Sequence, residues 1–337
     1  MQFEYTEPQT EFEILVGGHR SINMFGRIDP GDDRKFDDFL NRVTPPPRTE
    51  VYINSPGGDV EAAIAIGRMI RDAWYSTSIG QIVLRPNPLE PWRVPREYLP
   101  GQCISAATLA YLGGRLRHIR DGSKFGVHQF SYRDPTPEHI GHSQILSTKI
   151  AKFLMDMGIK PEFMEVSSAV PGNDLKLLGD EELAALGVVT GGQTGVVWSV
   201  ESRNSMMYVK GERDSIYGHH KVMLCFSKHT GFMFWAVVEA QGRHEELCSF
   251  ALVEIVLDGE QTRIDISQRC DRQLVGIYVN VLAKITEAEA EKISKSNSFG
   301  IQIRFGSEAP VFFGVSAIST EGGKDMLDTF YQTLCKE

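Results

Sequence analysis

The chain has 337 residues, 42% of them hydrophobic and 23% charged, proportions that belong to a folded globular protein and exclude disorder and collagen-like structure. A chain of this length buries most of its unfolded surface without disulfide or metal staples, and two domains of ordinary size are expected. Forty-four acidic against 35 basic residues leave a formal charge of −9, which argues against a general nucleic-acid binder, whose affinity rests on Lys and Arg against phosphates.

The opening stretch Met1 to Val16 has no basic region ahead of an apolar run, so it reads as no signal peptide. No apolar run is long enough for a membrane span, and no membrane partner is expected. Up to about Thr190, short apolar strands alternate with helical stretches, the pattern of a layered α/β domain. Val51 to Asn54 reads as a strand running into Ser55-Pro56-Gly57-Gly58. Asp59 to Asp72 then carries apolar residues at helical spacing, among them Val60, Ala63, Ile64 and Ile70. Ser78 to Leu84 reads as a further strand. Prolines at 86, 88, 91, 95 and 100 make residues 85–100 a loop or extended arm, a candidate lid. Ala106 to Leu112 is a short helix stopped by Gly113-Gly114. Phe125 to Phe130 is a strand, and Gln144 to Met157 a helix with Ile145, Thr148, Phe153 and Met157 facing inward. Glu181 to Leu186 is another short helix, for which Asp180 reads as the N-cap.

After Gly191-Gly192 the texture changes. Seven strands are expected, at 196–200, 206–210, 221–226, 232–238, 250–257, 263–266 and 274–281, punctuated as in an antiparallel sheet. Helices at 287–294 and 324–335 follow, with strands at 299–305 and 311–315 between them. The expectation is an α/β domain over residues 1–192, then an antiparallel β-rich α+β domain over 193–337. Lys210 to Asp214 reads as a charged turn, and His219-His220 as a surface pair on a strand. This half shows no catalytic constellation and suits binding or assembly. The five cysteines form no CxxC pair, and reduced thiols are the default, although Cys248 and Cys270 could pair in an exported protein. His139 and His142 have a metal-ligand spacing but no acidic companion, so a solvated helix start is the better reading. No metal and no cofactor are expected.

The chemically informative junction is Gly101-Gln-Cys-Ile-Ser105-Ala106, where an extended segment meets a helix. A serine there stands beside free N–H groups and the positive helix end, which suit an oxyanion. Its plain alternative is an N-cap serine. Gly57 and Gly58, between a strand and a helix, let the backbone approach a ligand and donate N–H groups. His128, downstream at the end of an apolar strand, supplies the general base that a serine hydroxyl needs.

Taken together, Tyr52 to Gly58, Gly101 to Ser105 and Val127-His128-Gln129 make residues from about Glu13 to Thr190 resemble the ClpP-type serine peptidases of the ClpP/crotonase superfamily. The resemblance implies a ClpP/crotonase-like layered domain with Ser105 as nucleophile and His128 as base. It further implies an oxyanion hole at Gly57-Gly58 and Ala106, the N–H groups coming from Gly58 and Ala106. The third, acidic member falls on Asp174 if one residue is inserted, with a turn aspartate as the alternative. A narrower likeness, through Cys103-Ile-Ser105-Ala106, Leu112-Gly113-Gly114 and Gly126 to Phe130, is to bacterial ClpP-like proteins, many of them carrying export signals. Those often bear a second cysteine where this chain has Ala107.

The arm at residues 85–100 and the whole second half have no counterpart in a ClpP subunit. The expected function is therefore an ATP-independent serine hydrolase, a peptidase by preference, acting on peptide or protein and forming a homo-oligomer other than the ClpP barrel. The rival is a catalytically silent ClpP-like scaffold whose second domain binds a partner protein; a crotonase-type acyl-thioester enzyme is a weaker third. A cytoplasmic location is expected, or a periplasmic one if a leader has been removed.

Overall fold

The computed structural model describes residues 1–15, 18–129 and 137–335, with 137–140 given by the backbone alone. The chain divides into two compact units, Met1–Gly192 and Gln193–Glu337.

The first unit runs β1 (Gln2–Thr6), α1 (Glu11–Leu15), β2 (Ser21–Phe25), α2 (Asp32–Val43), β3 (Glu50–Asn54), α3 (Val60–Asp72), β4 (Ser76–Ile79), β5 (Gln81–Leu84) and β6 (Arg96–Leu99). It continues with β7 (Gln102–Ile104), α4 (Ala107–Leu112), β8 (Arg117–His118), β9 (Lys124–Val127), α5 (Pro137–Asp156), α6 (Glu162–Ser168), β10 (Lys176–Leu177) and α7 (Asp180–Ala185). One sheet has the order β1-β2-β3-β4-β8, parallel apart from β1, and a second has the order β10-β9-β7. Alternation along the strands explains the layering: Ile22, Met24, Val51 and Ile53 are fully buried in one core with Phe36 of α2 and Ala63, Ile66 and Ile70 of α3.

Several expectations are corrected. The strand expected over 78–84 breaks at Gly80, whose φ of 128 turns the chain from the parallel sheet into an antiparallel hairpin. The proline-rich arm therefore contains strand β6, which pairs with β5 and is bracketed by Pro95 and Pro100. On α5, Ile145 and Thr148 are exposed, and the buried stripe is Ile150, Phe153 and Leu154, continued just past the helix by Met157. Asp180 is the first helical residue of α7, after the N-cap Gly179, and makes no capping bond. Gly113 does follow α4, but its φ of −63 is ordinary right-handed backbone. Its requirement is close packing: a Cβ there would lie 2.1 Å from the carbonyl oxygen of Gly67 in α3. These two glycines let α3 and α4 touch backbone to backbone, so the loops that precede the two helices are held close together.

The second unit comprises β11 (Val197–Arg203), β12 (Met206–Ser215), β13 (Gly218–Ser227), β14 (Gly231–Glu239), α8 (His244–Ser249), β15 (Leu252–Leu257) and β16 (Thr262–Asp265). Then come β17 (Cys270–Val275), β18 (Tyr278–Lys284), α9 (Glu287–Lys295), β19 (Ser298–Arg304), β20 (Phe313–Ser319) and α10 (Lys324–Leu334). Two antiparallel sheets, β11-β12-β13-β14-β18-β17 and β16-β15-β19-β20, share one core with α9 and α10, centred on Val222, Phe234, Ile255, Ile301, Ile293 and Leu327.

The strand expected over 274–281 is a hairpin, broken at Gly276 with φ 62. Lys210 to Asp214, expected as a turn, lies inside β12, its charges held by Glu201, Lys221 and His219 on the same face. His219 and His220 are buried instead of exposed. Burial alone lowers the pKa of His219, but Asp214, 2.7 Å from Nδ1, and Glu212 hold it above the usual imidazole value. All five cysteines are free thiols. Among the described residues no helix is long and apolar enough to cross a membrane, and no group of three or more His, Cys, Asp or Glu is placed to hold a metal ion.

Candidate active site

Strand β7 brings the three sequence motifs side by side. On one edge Ser55 donates its N–H to Gln102 O at 2.7 Å and accepts from Ile104 N–H at 3.1 Å, which fastens the Ser55–Gly58 turn to β7. On the other edge β7 pairs in parallel with β9, and Ser105 N–H donates to Gly126 O at 3.0 Å. Three segments far apart in sequence thus become consecutive ribbons, with Ser105 at the end of the middle one.

Ser105 has φ 57, in the left-handed region, and Ala106 occupies the N-cap of α4 without a side-chain capping bond. The plain N-cap reading of Ser105 therefore fails. Its main chain starts the helix, with Ser105 O accepting from Thr108 N–H at 3.0 Å and Thr108 Oγ1 at 2.6 Å, while its hydroxyl does not cap. Cys103, two residues earlier, is fully buried, and that burial pushes its thiol far above the usual range, so it is no rival nucleophile.

Both glycines of the Ser55–Gly58 turn have positive φ, 97 at Gly57 and 147 at Gly58. A Cβ on Gly57 would lie 2.8 Å from Ser105 Cβ and 3.1 Å from Ala106 N. The Gly57 backbone is therefore pressed against the serine turn. Its own N–H, however, is committed to Ser55 Oγ at 3.1 Å, so Gly57 shapes the site and is not a donor to it. Gly58 pairs on its far side with Ile28, through Ile28 N–H to Gly57 O and Asp59 N–H to Ile28 O, each 2.9 Å. Among the described residues neither Gly58 N–H nor Ala106 N–H has an acceptor. Two undonated N–H groups beside a serine are the ingredients of an oxyanion hole.

His128 follows β9 and is half-buried. Its Nδ1 lies 2.8 Å from the main-chain carbonyl oxygen of Gln129. No hydrogen bond joins Ser105 to His128, but both side chains line the same two cavities. The larger is an open cleft of about 880 Å³ that also takes in Gly58, Arg27, Glu61, His142 and Lys149. The smaller, of about 210 Å³, is lined by Leu109, Val127, Ile150, Phe163 and Met164 together with Thr108, Ser147, Ser167 and Ser168. One is wide and charged, the other compact and of mixed apolar and hydroxyl character.

Asp174 is not brought to the imidazole. The β10–β9 ladder ends at Lys176 opposite Val127, beyond it Gln129 N–H turns to Val170 O, and no hydrogen bond or ion pair joins Asp174 to His128. The Asp174 N–H closes a turn onto Pro171 O at 2.9 Å, and its side chain is exposed with no hydrogen bond among the described residues. The turn-aspartate alternative accounts for it. The arm also differs from expectation: no residue of 85–100 lines either cavity. Asn23 clamps its root, giving Nδ2 to Ile82 O at 2.8 Å and taking Ile82 N–H at 2.9 Å. Glu13 holds its far end through Val94 N–H at 2.6 Å. Gln9 N–H first, then Val94 N–H and Arg96, keep the Glu13 carboxyl below the usual glutamate range. Of the motifs named from sequence, Phe130 lies outside the described residues, as does the side chain of His139. Sequence reasoning missed Thr108, Ile150 and Phe163 as walls of a pocket, since their spacing signals only a helix core.

No protein-family model matches the chain, and no curated protein sequence is significantly similar to it.

Proposed function

We propose that the first unit is a ClpP/crotonase-like serine hydrolase domain, ATP-independent and acting by preference on peptides. The observation that carries this reading is the left-handed Ser105 turn, set against Gly57 and flanked by the undonated N–H groups of Gly58 and Ala106, with His128 in the same cleft. Ser105 Oγ attacks a carbonyl carbon while its proton passes to His128 Nε2. The carbonyl oxygen takes the negative charge beside Gly58 and Ala106 N–H, and the leaving amine or alcohol receives the proton from Nε2. Water, deprotonated by the same nitrogen, then releases the acyl group. Catalytic hydrogen bonds often close only around bound substrate, which accommodates the open Ser105–His128 pair. The 210 Å³ pocket suits a compact uncharged side chain on the acyl part, and the wide charged cleft a polar remainder.

A fluorophosphonate tests this by intact-mass spectrometry: Oγ–P forms, P–F breaks and fluoride leaves. One adduct on wild type, mapping to Ser105 and lost in Ser105→Ala and His128→Ala, is the expected result. An adduct that survives Ser105→Ala moves the nucleophile elsewhere. The open Ser105–His128 pair favours the second reading, a silent scaffold whose second unit binds a partner. Folded wild type that stays unlabelled supports that scaffold.

A further inference from the structure

Resting on the serine–histidine reading, we propose that the main-chain carbonyl of Gln129, and not a carboxylate, orients His128, so that Ser105 and His128 work as a dyad with Asp174 a bystander. A carbonyl oxygen carries lone pairs only. At 2.8 Å from Nδ1 it must face an N–H, which puts the imidazole proton on Nδ1 and the free lone pair on Nε2. That is the tautomer in which Nε2 can take a proton from a hydroxyl, the outcome an orienting carboxylate secures in a triad.

The segment leading to the carbonyl is tied down as far as Gln129 N–H, which donates to Val170 O at 2.9 Å, and the preceding strand is fixed through β7 and β10. A main-chain acceptor needs no particular side chain at position 129. Asp174 hangs from the turn just beyond Val170, its carboxylate exposed. Gln129 is a positioning residue through its backbone; the group that meets substrate is His128.

Two-bond proton–nitrogen correlation spectra of the ¹⁵N-labelled full chain test this, recorded in mildly alkaline buffer where an ordinary imidazole is neutral. His128→Gln assigns the resonances. The expected result is a His128 ring protonated at Nδ1 and bare at Nε2 in wild type, and unchanged in Asp174→Asn and Gln129→Ala. A ring protonated at Nε2, or a mixture of tautomers in wild type or in Asp174→Asn, overturns the proposal. The fluorophosphonate labelling rate of Asp174→Asn is expected to stay within about twofold of wild type, whereas loss of a true orienting carboxylate costs about ten-thousand-fold. A loss of that size in folded Asp174→Asn overturns the proposal and leaves the serine–histidine reading standing. Wild type without any labelling sinks the serine–histidine reading, while the tautomer still decides the orientation of His128.

Discussion

At φ 57, Ser105 occupies a backbone region that an L-residue with a Cβ enters at a cost of about 1–2 kcal/mol. The strand-to-helix turn needs that conformation in order to carry the hydroxyl to the surface of the cleft while the Ser105 carbonyl still accepts Thr108 N–H. Glycine would enter the same region without strain. Ser105→Gly is accordingly expected to be more stable than Ser105→Ala by about 1 kcal/mol, with Ser105→Ala close to wild type. Denaturant unfolding of the three proteins checks this; equal midpoints for the glycine and alanine variants would remove strain from the account. The type and position of this residue were legible in the sequence, because a serine between an extended segment and a helix stands out. Its backbone conformation was not, since an N-cap serine and a left-handed serine can share the same neighbours. Asp174 was hard to place for a related reason. Motif spacing counts residues, whereas the turn that Asp174 N–H closes onto Pro171 O, past the end of β10, decides where its carboxylate lies.

At the scale of elements, apolar periodicity located most strands and helices, and turn chemistry accounts for most of what was missed. Gly80 and Gly276 each stand inside an apolar run that reads as one strand, and a positive φ at each divides it in two. Lys210 to Asp214 looked like a turn because charges cluster there, yet ion pairs to Glu201 and Lys221 let it remain strand. Helix α9 begins with a local device. Thr286 and Glu289 form a capping box, with Glu289 N–H donating to Thr286 Oγ1 at 3.2 Å and Thr286 N–H to Glu289 Oε2 at 2.8 Å. Arg269 first, and Thr286 after it, pull the Glu289 carboxyl down to about 2 from the usual 4.5. A carboxylate lowered on folding adds stability above its usual pKa and loses it as pH falls through the folded value. Glu289→Ala is therefore expected to cost about 1 kcal/mol at neutral pH, with the deficit shrinking between pH 4.5 and about 2. Thermal melts of the two proteins across that range check the sign; a deficit that grows in acid would refute it.

For the whole molecule, the change of texture after Gly191-Gly192 falls where the two compact units divide, and each unit has its own buried core. A change confined to one core should then leave the other folded. Arg117 offers the sharpest test, because it is a keystone of the first unit that no local pattern announces. Its guanidinium is buried and, among the described residues, donates only to main-chain carbonyls: Leu112, Gly114, Met157, Gly187 and Val188, at 2.8 to 3.4 Å. Those oxygens lie at or just past the ends of α4, α5 and α7, where the helix dipoles are negative. The charge is thus balanced by dipoles, with burial drawing the guanidinium down to about 10 despite Tyr111 nearby. Arg117→Met matches the length of the side chain but strands five acceptors, and an effect of about 3–5 kcal/mol on the first unit is expected. Hydrogen exchange resolved by segment supplies the readout: protection should fall across β2, β3 and α4 and persist in β13 and β19. Equal loss in β13 and β19 would mean that the two cores melt as one cooperative body, and the second unit could not then be treated as a separately folding module.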